Sequence, residues 1–286
     1  MIRRDLHEAN RLSWNEATKA HNSHKFDQAG FFRNGGNKLF PEEMELLCDV
    51  AGKDLVHLQC NSGQDSLSLA QLGARVTGVD ISDEAIAFAR QLSADSGVPA
   101  SFVRSDIYDW FAGAAASGQS FDLAFSSYGA IGWLSDLGAW AKGIASVLRP
   151  GGRFVLVEFH PFAFTLDDDG KGVVTYPYSE AGPLTWDDGV SDYVAASGPG
   201  LAPSGYLEGV KDFRNPHVCH EYAWSMADVV TALLEAGLRL EVFREYLYAN
   251  GWRPFPGMRE LPGRRTAMPE GGPQVPLMFA VAAGKD

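Results

Sequence analysis

The stretch DLVHLQCNSGQDSLSLAQLGARVTGVDIS, residues 54–82, decides the architecture. It opens on the apolar run DLVHLQC and breaks at Gln59-Cys60-Asn61-Ser62-Gly63. Leu67, Leu69, Ala70 and Leu72 then follow a helical pattern, and a second apolar run, ARVTGVD, ends on Asp80. Short apolar runs bounded by turn residues read as strands, and the segment between them reads as a short helix. Such a unit calls for a right-handed crossover between parallel strands.

The pattern repeats downstream. DEAIAFARQLSADSG reads as a helix, and ASFVRSD and SFDLAFSSY as the third and fourth strands. Residues 133–148 suggest a helix before the Pro150-Gly151-Gly152 turn and the strong apolar run RFVLVEF. SMADVVTALLEAGLRLEVFREYL supplies a further helix and strand, and QVPLMFAVAAG a closing strand. The series predicts an α/β fold, a mainly parallel sheet with helices on both faces.

Upstream, residues 5 to about 28 contain a helix with His21 and His24 near its end. Pro41-Glu42-Glu43 favours a second helix start, with charges suited to its dipole, and Gly52 a stop. Residues 160–220 are rich in Gly, Pro, Asp and aromatic residues, with short strands expected in GVVTYPY and HVCHEYAW. This segment is expected as an insertion over the carboxyl edge of the sheet; a surface embellishment is the plainer alternative. Residues 250–274 read as a Gly/Pro-rich loop. The expected organisation is an N-terminal helical lid at 1–40, a ligand-binding core at 41–160, an inserted cap at 161–222 and completion of the sheet at 223–286.

With 286 residues, 45% hydrophobic and 21% charged, the chain is long enough for a sizeable core and ordinary for a soluble globular protein. A formal net charge of -12, with no basic tail or stripe, argues against nucleic acid as a partner. Cys48, Cys60 and Cys219 form no short paired spacing, which fits a reducing compartment rather than a disulfide framework. The opening MIRRDLHEANRLSWNEATKA carries no secretory apolar segment, and no later run is long enough to cross a bilayer. A soluble cytoplasmic protein with no membrane partner is expected; monomer or homodimer is left open.

Ligands of open parallel sheets gather beyond the carboxyl ends of the strands. Gln59 to Gly63 sit at such an end, where Gly63 relieves a close approach and the following helix presents free amides. Asp80, with Ile81 beside it, ends the next strand, where a carboxylate can accept bonds from both hydroxyls of a ribose. Asp106 ends the third strand at a position suited to an adenine amino group, with Ile107 able to cover the ring. Each acid alone also fits a helix cap or turn former. Their placement after successive strands favours the ligand.

These residues resemble the Rossmann-like (class I) S-adenosylmethionine-dependent methyltransferases of the small-molecule type. In that family an acidic strand residue precedes three alternating glycines, and these positions fall here on His57, Gln59, Asn61 and Gly63. The likeness covers roughly residues 40–160. It implies a mostly parallel sheet with an antiparallel C-terminal strand, S-adenosyl-L-methionine as methyl donor and S-adenosyl-L-homocysteine as product. It also implies Asp80 as the ribose acid, Asp106 as the adenine acid and Ser126 in the lining of the donor pocket. Asn61 tolerates a left-handed backbone; Gln59 implies an altered approach to the methionine portion, either bonding the ligand or holding the turn. Phe31, Phe32, Gly36 and Asn37 are candidates for a cover over the donor, with Trp14, Asn15, His21 and His24 on the preceding segment. Simple helix packing is the alternative.

For the acceptor, His160 is the best single base candidate, because it follows a strand expected to end at the active face. Glu158 could tune it, and a capping role is the alternative. His217 and His220 in HVCHE have odd spacing and do not project together from a strand, so no metal is expected there. The run Asp167-Asp168-Asp169-Gly170 reads as a turn rather than a calcium loop. Tyr128, Trp133, Phe162, Tyr176, Trp186 and Trp252, with Phe164, Tyr178, Phe255 and Met258, suggest an aromatic wall for a compact organic substrate. GWRPFPGM is expected over the entrance, where Arg253 could meet an acidic substituent or simply face solvent. The expected function is methyl transfer to a small aromatic acceptor at oxygen, nitrogen or carbon. A nicotinamide-dependent oxidoreductase and a noncatalytic cofactor-binding protein are the alternatives.

Overall fold

A computed structural model describes residues 1–167 and 172–286. The elements run α1 (Arg4–Ser23), α2 (Gln28–Arg33), α3 (Pro41–Leu47), β1 (Asp54–Leu58), α4 (Gln64–Gln71), β2 (Arg75–Asp80), α5 (Asp83–Ser96), β3 (Ser101–Arg104), α6 (Ile107–Ala116) and β4 (Phe121–Ser127). There follow α7 (Leu137–Val147), β5 (Leu148–Phe159), β6 (Leu184–Trp186), α8 (Tyr193–Ser197), β7 (Cys219–Glu221), α9 (Met226–Glu235), β8 (Arg239–Tyr246), β9 (Tyr248–Asn250), β10 (Arg259–Leu261), β11 (Arg265–Ala267) and β12 (Met278–Gly284).

Seven strands form one sheet in the order β3-β2-β1-β4-β5-β12-β8. The first five are parallel neighbours, while β12 runs antiparallel to both β5 and β8. The expected fold class holds, including the reversed C-terminal strand. Alternation along the central strands explains the two cores. Phe154 and Leu156 of β5, with Phe279 and Val281 of β12, pack against Trp140 and Ile144 of α7 and Val229 of α9. Val155, Val157, Ala280 and Ala282 face the other way, onto Leu46 and Leu47 of α3 and Leu69 of α4. Both faces of β5 are buried, as a near-continuous apolar run requires.

Four local expectations are corrected. Helix α6 follows β3 directly, started by Asp106 as its N-cap. GVVTYPY forms no strand, only an isolated bridge between Leu166 and Val174. The Pro150-Gly151-Gly152 bend lies inside β5, where the pairing with β4 shifts register. Residues 250–274 are not merely loop, since β9, β11 and β10 make a small antiparallel sheet. The strand expected in HVCHEYAW is β7, paired with β6. Asp168, Asp169 and Gly170 of the acidic run lie outside the described residues. No helix among the described residues is long and apolar enough to cross a membrane.

Candidate active site

The turn after β1 explains the altered glycine pattern. Gln59, Asn61 and Gly63 have φ of 52°, 48° and 76°, so all three alternate positions are left-handed although only one is glycine. Asn61 is suited to this region, whereas Gln59 is held there against its preference. Gln59 Nε2 donates to the Ala130 carbonyl at 2.7 Å, across to the turn after β4. A Cβ on Gly63 would come within 2.8 Å of Ala89 and Phe102, so glycine there meets both a backbone and a packing demand.

Asp80 closes this turn. Its Oδ2 accepts from the Asn61 amide at 2.8 Å and its Oδ1 from the Ser82 amide at 2.9 Å. Burial pushes its carboxyl above the usual aspartate range, with the amide bonds acting against the rise. Ile81 follows it, half-buried. Asp106 accepts from the Tyr108 amide at 2.9 Å through Oδ1, and its Oδ2 lies 2.6 Å from His7 Nδ1. Burial raises its carboxyl, but the His7 contact, the Tyr108 amide and the Arg4 charge together hold it below the usual aspartate range. Ile107 is buried with the main core cluster, and Ser126 is fully buried at the end of β4.

Helix α1 covers these strand ends. Its 20 residues span about 30 Å. His7 meets Asp106, Asn15 bonds Ser82 and Asp83, and Asn22 donates to Ser62 at 2.9 Å. His7, Arg11, Asn15, Thr18 and Asn22 recur at steps of four, four, three and four, which puts them on one face of the helix. Arg11 pairs with Asp83 on that same face. This polar stripe was the available sequence signal for His7 and Asn22, which residue-by-residue reading missed.

The cover expected from residues 31–37 is corrected. Phe32 is only 2% exposed and packs with Cys60, Leu67, Ile86 and Phe102; its place in the core follows from its apolar ring. Asn37 is exposed, and its side chain accepts from the Leu39 amide at 2.8 Å as a local turn former. Phe31 and Phe32 border a small pocket with Lys25 and Lys38.

Beside the turn after β4 lies a cavity of about 270 Å³. Gly129, Ile131 and Gly132 line it from that turn, with Glu158, Phe159 and Glu221, and most of its remaining surface is aromatic: Phe164, Tyr176, Tyr178, Trp186, Tyr222, Trp224, Trp252 and Phe255. Of the expected wall, Tyr176, Trp186 and Trp252 are brought together here. Tyr128, Trp133 and Phe162 are not among its lining residues. Tyr128 packs on Phe40 and Phe159 and its hydroxyl accepts from Asn250 at 2.8 Å; Trp133 stacks edge-on against Trp14 at 5.3 Å. Phe162 packs on the neighbouring cluster around Phe255 and Met258, and its amide donates to His160.

His160 is also misplaced for a base. Its Nδ1 accepts from the Phe162 amide at 3.1 Å, which leaves the proton on Nε2, and Nε2 lies 2.9 Å from Glu245 Oε1. Both nitrogens are engaged, the ring is 4% exposed and it does not border the cavity. Its partner is Glu245 rather than Glu158. Glu158 instead accepts from the amides of Gly129, Ala130, Ile131 and Phe159 and thereby shapes the turn. His220 bonds Thr185, and Arg253 pairs with Glu260 at 2.9 Å. Glu221, for which the HVCHE run suggested fold support or substrate hydrogen bonding rather than a catalytic role, lies on the cavity wall, and its carboxyl is pushed up to about 7 by burial.

The donor-side residues suit a nucleoside with a polar tail. His7 Nε2, Thr18 Oγ1, His21 Nδ1, Gln59 Oε1 and Ser126 Oγ are buried without a hydrogen-bond partner among the described residues. All belong to α1 or to the ends of β1 and β4. Buried polar atoms cost free energy unless partnered, so this is a polar-ligand environment. The sheet order, the reversed last strand, the left-handed turn after β1 and the two strand-end acids define an α/β enzyme built around a nucleoside cofactor.

Comparison with known proteins narrows that class. Residues 56–152 match the family described as methyltransferase domain. A ubiquinone biosynthesis O-methyltransferase from Xanthomonas axonopodis pv. citri (strain 306) is 30% identical over 214 residues, 74% of this chain and 73% of that protein. The S-adenosyl-L-methionine-dependent Diels-Alderase iccD from Talaromyces variabilis is 34% identical over 115 residues, 40% of this chain and 39% of that protein. The crystal structure of an S-adenosylmethionine-dependent methyltransferase from Mesorhizobium loti superposes with a TM-score of 0.53 at 20% identity, covering 88% of this chain and 99% of that one. The chain belongs to the Rossmann-like, class I S-adenosylmethionine-dependent methyltransferases. It is an enzyme that uses S-adenosyl-L-methionine, yields S-adenosyl-L-homocysteine and acts on a small organic molecule. The nicotinamide and noncatalytic alternatives are set aside.

Proposed function

We propose that the enzyme methylates a small aromatic acceptor held in the cavity beside residues 129–132. The observation that carries this reading is the cavity itself: about 270 Å³, walled by aromatic rings from five separated segments. Flat apolar walls with few polar groups suit an aromatic ring of one or two cycles. The name of the Xanthomonas relative supports oxygen as the receiving atom; nitrogen and carbon are the alternatives. When bound, S-adenosylmethionine supplies an electrophilic methyl on sulfur. The chain's part is to hold donor and acceptor in line and to keep water out.

In this reading Asp80 takes the ribose hydroxyls and Asp106, braced by His7, meets the adenine. The amides and side chains of Gln59, Asn61 and Gly63, with Ser126, run beside the methionine portion. The turn at 129–132 is common ground, tied to the donor loop through Gln59 and forming the cavity side. Residues 1–40 act as the donor cover, with α1 rather than residues 31–37 as its working part, and 161–222 act as the acceptor cap. The acidic balance favours a small molecule over nucleic acid, and the separated thiols favour a reducing, cytoplasmic setting.

The test is calorimetry with S-adenosylhomocysteine, followed by donor turnover with a panel of aromatic acceptors and mass analysis of the products. Gly132→Phe provides the matched control. A Cβ there meets nothing closer than 3.9 Å and lies 4.0 Å from Glu221 Oε1, so a ring would fill the cavity. The variant should retain homocysteine-product binding and lose methyl transfer. Full transfer by Gly132→Phe would reject the cavity as the acceptor site.

A further inference from the structure

Resting on the acceptor cavity proposed above, we infer that Glu221 is the general base and that the acceptor is a neutral phenol. Among the described residues the cavity wall contains two carboxyl groups and no Lys, Arg or His. Glu158 is saturated by four backbone amides and has no capacity left for a ligand. Glu221 is different. Among the described residues no cation pairs with it, and its neighbours are the Trp186 indole and the Gly132 backbone.

The position of Glu221 is fixed from both sides. His220, one residue before it, exchanges two hydrogen bonds with Asn10 of α1: its amide donates to Oδ1 at 2.7 Å, and its carbonyl accepts from Nδ2 at 2.8 Å. Tyr222, one residue after it, donates its amide to the Gly132 carbonyl at 2.7 Å. The β6–β7 register sets Glu221 opposite Leu184, another cavity residue, while His220 and Thr185 bond each other beside it. A strand so held presents its carboxylate with little freedom, as a catalytic group requires.

The chemistry of the wall selects the substrate. A lone carboxylate in an apolar cavity is stabilised by a ligand that donates a hydrogen bond, and it repels an anionic one. With no cation in the wall among the described residues, an aromatic carboxylate or phosphate finds no partner there. A neutral phenol gives Glu221 its donor and the aromatic walls their ring. In the step, the phenol O–H bond breaks and its proton goes to a Glu221 oxygen. The phenol oxygen forms its bond to the donor methyl as the methyl–sulfur bond breaks, and that electron pair remains on sulfur. The products are an aryl methyl ether, the thioether S-adenosylhomocysteine and one proton on Glu221, which passes to solvent. Burial places the carboxyl near neutrality, where a base of this kind is effective.

The experiment uses naphthol and its methyl ether as probes, with the wild type, Glu221→Gln and Gly132→Phe. In the presence of S-adenosylhomocysteine, wild type should bind naphthol about ten-fold more tightly than the ether, and Glu221→Gln should bind the two nearly alike. With S-adenosylmethionine, kcat for naphthol should fall about a hundred-fold in Glu221→Gln. The wild-type rise of kcat through pH 7 should disappear with it. Unchanged S-adenosylhomocysteine affinity certifies the fold of each variant. If Gly132→Phe abolishes naphthol binding while Glu221→Gln keeps wild-type kcat and its pH limb, the cavity stands and the base assignment falls. If Gly132→Phe binds and methylates naphthol normally, the acceptor-site reading falls first. Failure of wild type to bind naphthol, or equal affinity for the ether, overturns the phenol.

Discussion

Replacing Glu158 by glutamine tests whether one carboxylate shapes the wall between donor and acceptor. Oε1 accepts from Gly129 and Phe159, the latter at 2.7 Å, and Oε2 from Ala130 at 2.7 Å and Ile131 at 3.1 Å. A glutamine has one acceptor oxygen, so in either orientation two buried amides lose their partner and face an NH2 group. Each such loss costs about 1–3 kcal/mol. Relief from burying a carboxylate returns part of this, since burial pushes Glu158 above the usual glutamate range. A net loss of about 3 kcal/mol is expected, which for a chain of this size lowers Tm by roughly 6 °C. The same turn carries the Ala130 carbonyl that receives Gln59 and the three residues that side the cavity. Well below Tm, the acceptor KM should therefore rise about ten-fold, roughly 1.4 kcal/mol, while donor affinity moves by less than half a decade. Thermal unfolding and steady-state kinetics read the two effects. A variant that melts within a degree of wild type with an unchanged acceptor KM would refute the role given to this carboxylate.

Asp80→Asn should weaken S-adenosylhomocysteine binding about ten- to a hundred-fold, because an amide nitrogen replaces an oxygen that must serve both backbone and ribose; calorimetry that finds wild-type affinity removes Asp80 from the donor site. His160→Ala should cost about 1–2 kcal/mol of stability and leave kcat within about three-fold, since the ring anchors Phe162 and Glu245. A hundred-fold fall in kcat with donor affinity intact would restore His160 as a base. Buried His57, which bonds Ser66 at 2.8 Å, is pushed down to about 4, below its unfolded value near 6.5. Its neutral form is therefore the native one. Stability is fully present above pH 6.5 and declines by up to about 3 kcal/mol as pH falls toward 4. Urea titrations at stepped pH should lose that slope in His57→Gln, and an identical slope in the variant would assign it elsewhere.

The short apolar runs of β1, β2, β4, β5 and β12, bounded by turn residues, and the helical spacing between them sufficed to specify the sheet, because run length and helical periodicity are local properties of the chain. Asp80 and Asp106 were legible for the same reason, each standing where an apolar run stops. The other half of Asp106's work was legible too, since an Asp before Ile107-Tyr108-Asp109-Trp110 is a helix start. Ranking the helix-cap reading of Asp106 below the ligand reading hid α6. The three-residue strands β9, β10 and β11 leave no periodic trace, and their pairing joins segments up to about 20 residues apart across Gly and Pro. At Gln59 the residue type itself misleads, because its left-handed backbone is imposed by the Asn61–Asp80 closure and by the reach to Ala130.

The sequence alone determined the α/β layering, the strand ends where a nucleoside would lie and the enzyme family. Tertiary structure decided which groups meet: His160 with Glu245, 85 positions apart, Asp106 with His7, 99 apart, and Glu221 in a wall built from six segments. The reason is physical. Periodicity is set by neighbours along the chain, but the convergence of side chains depends on how the sheet twists, where β12 reverses and how α1 crosses the strand ends, and no short window of sequence contains those contacts.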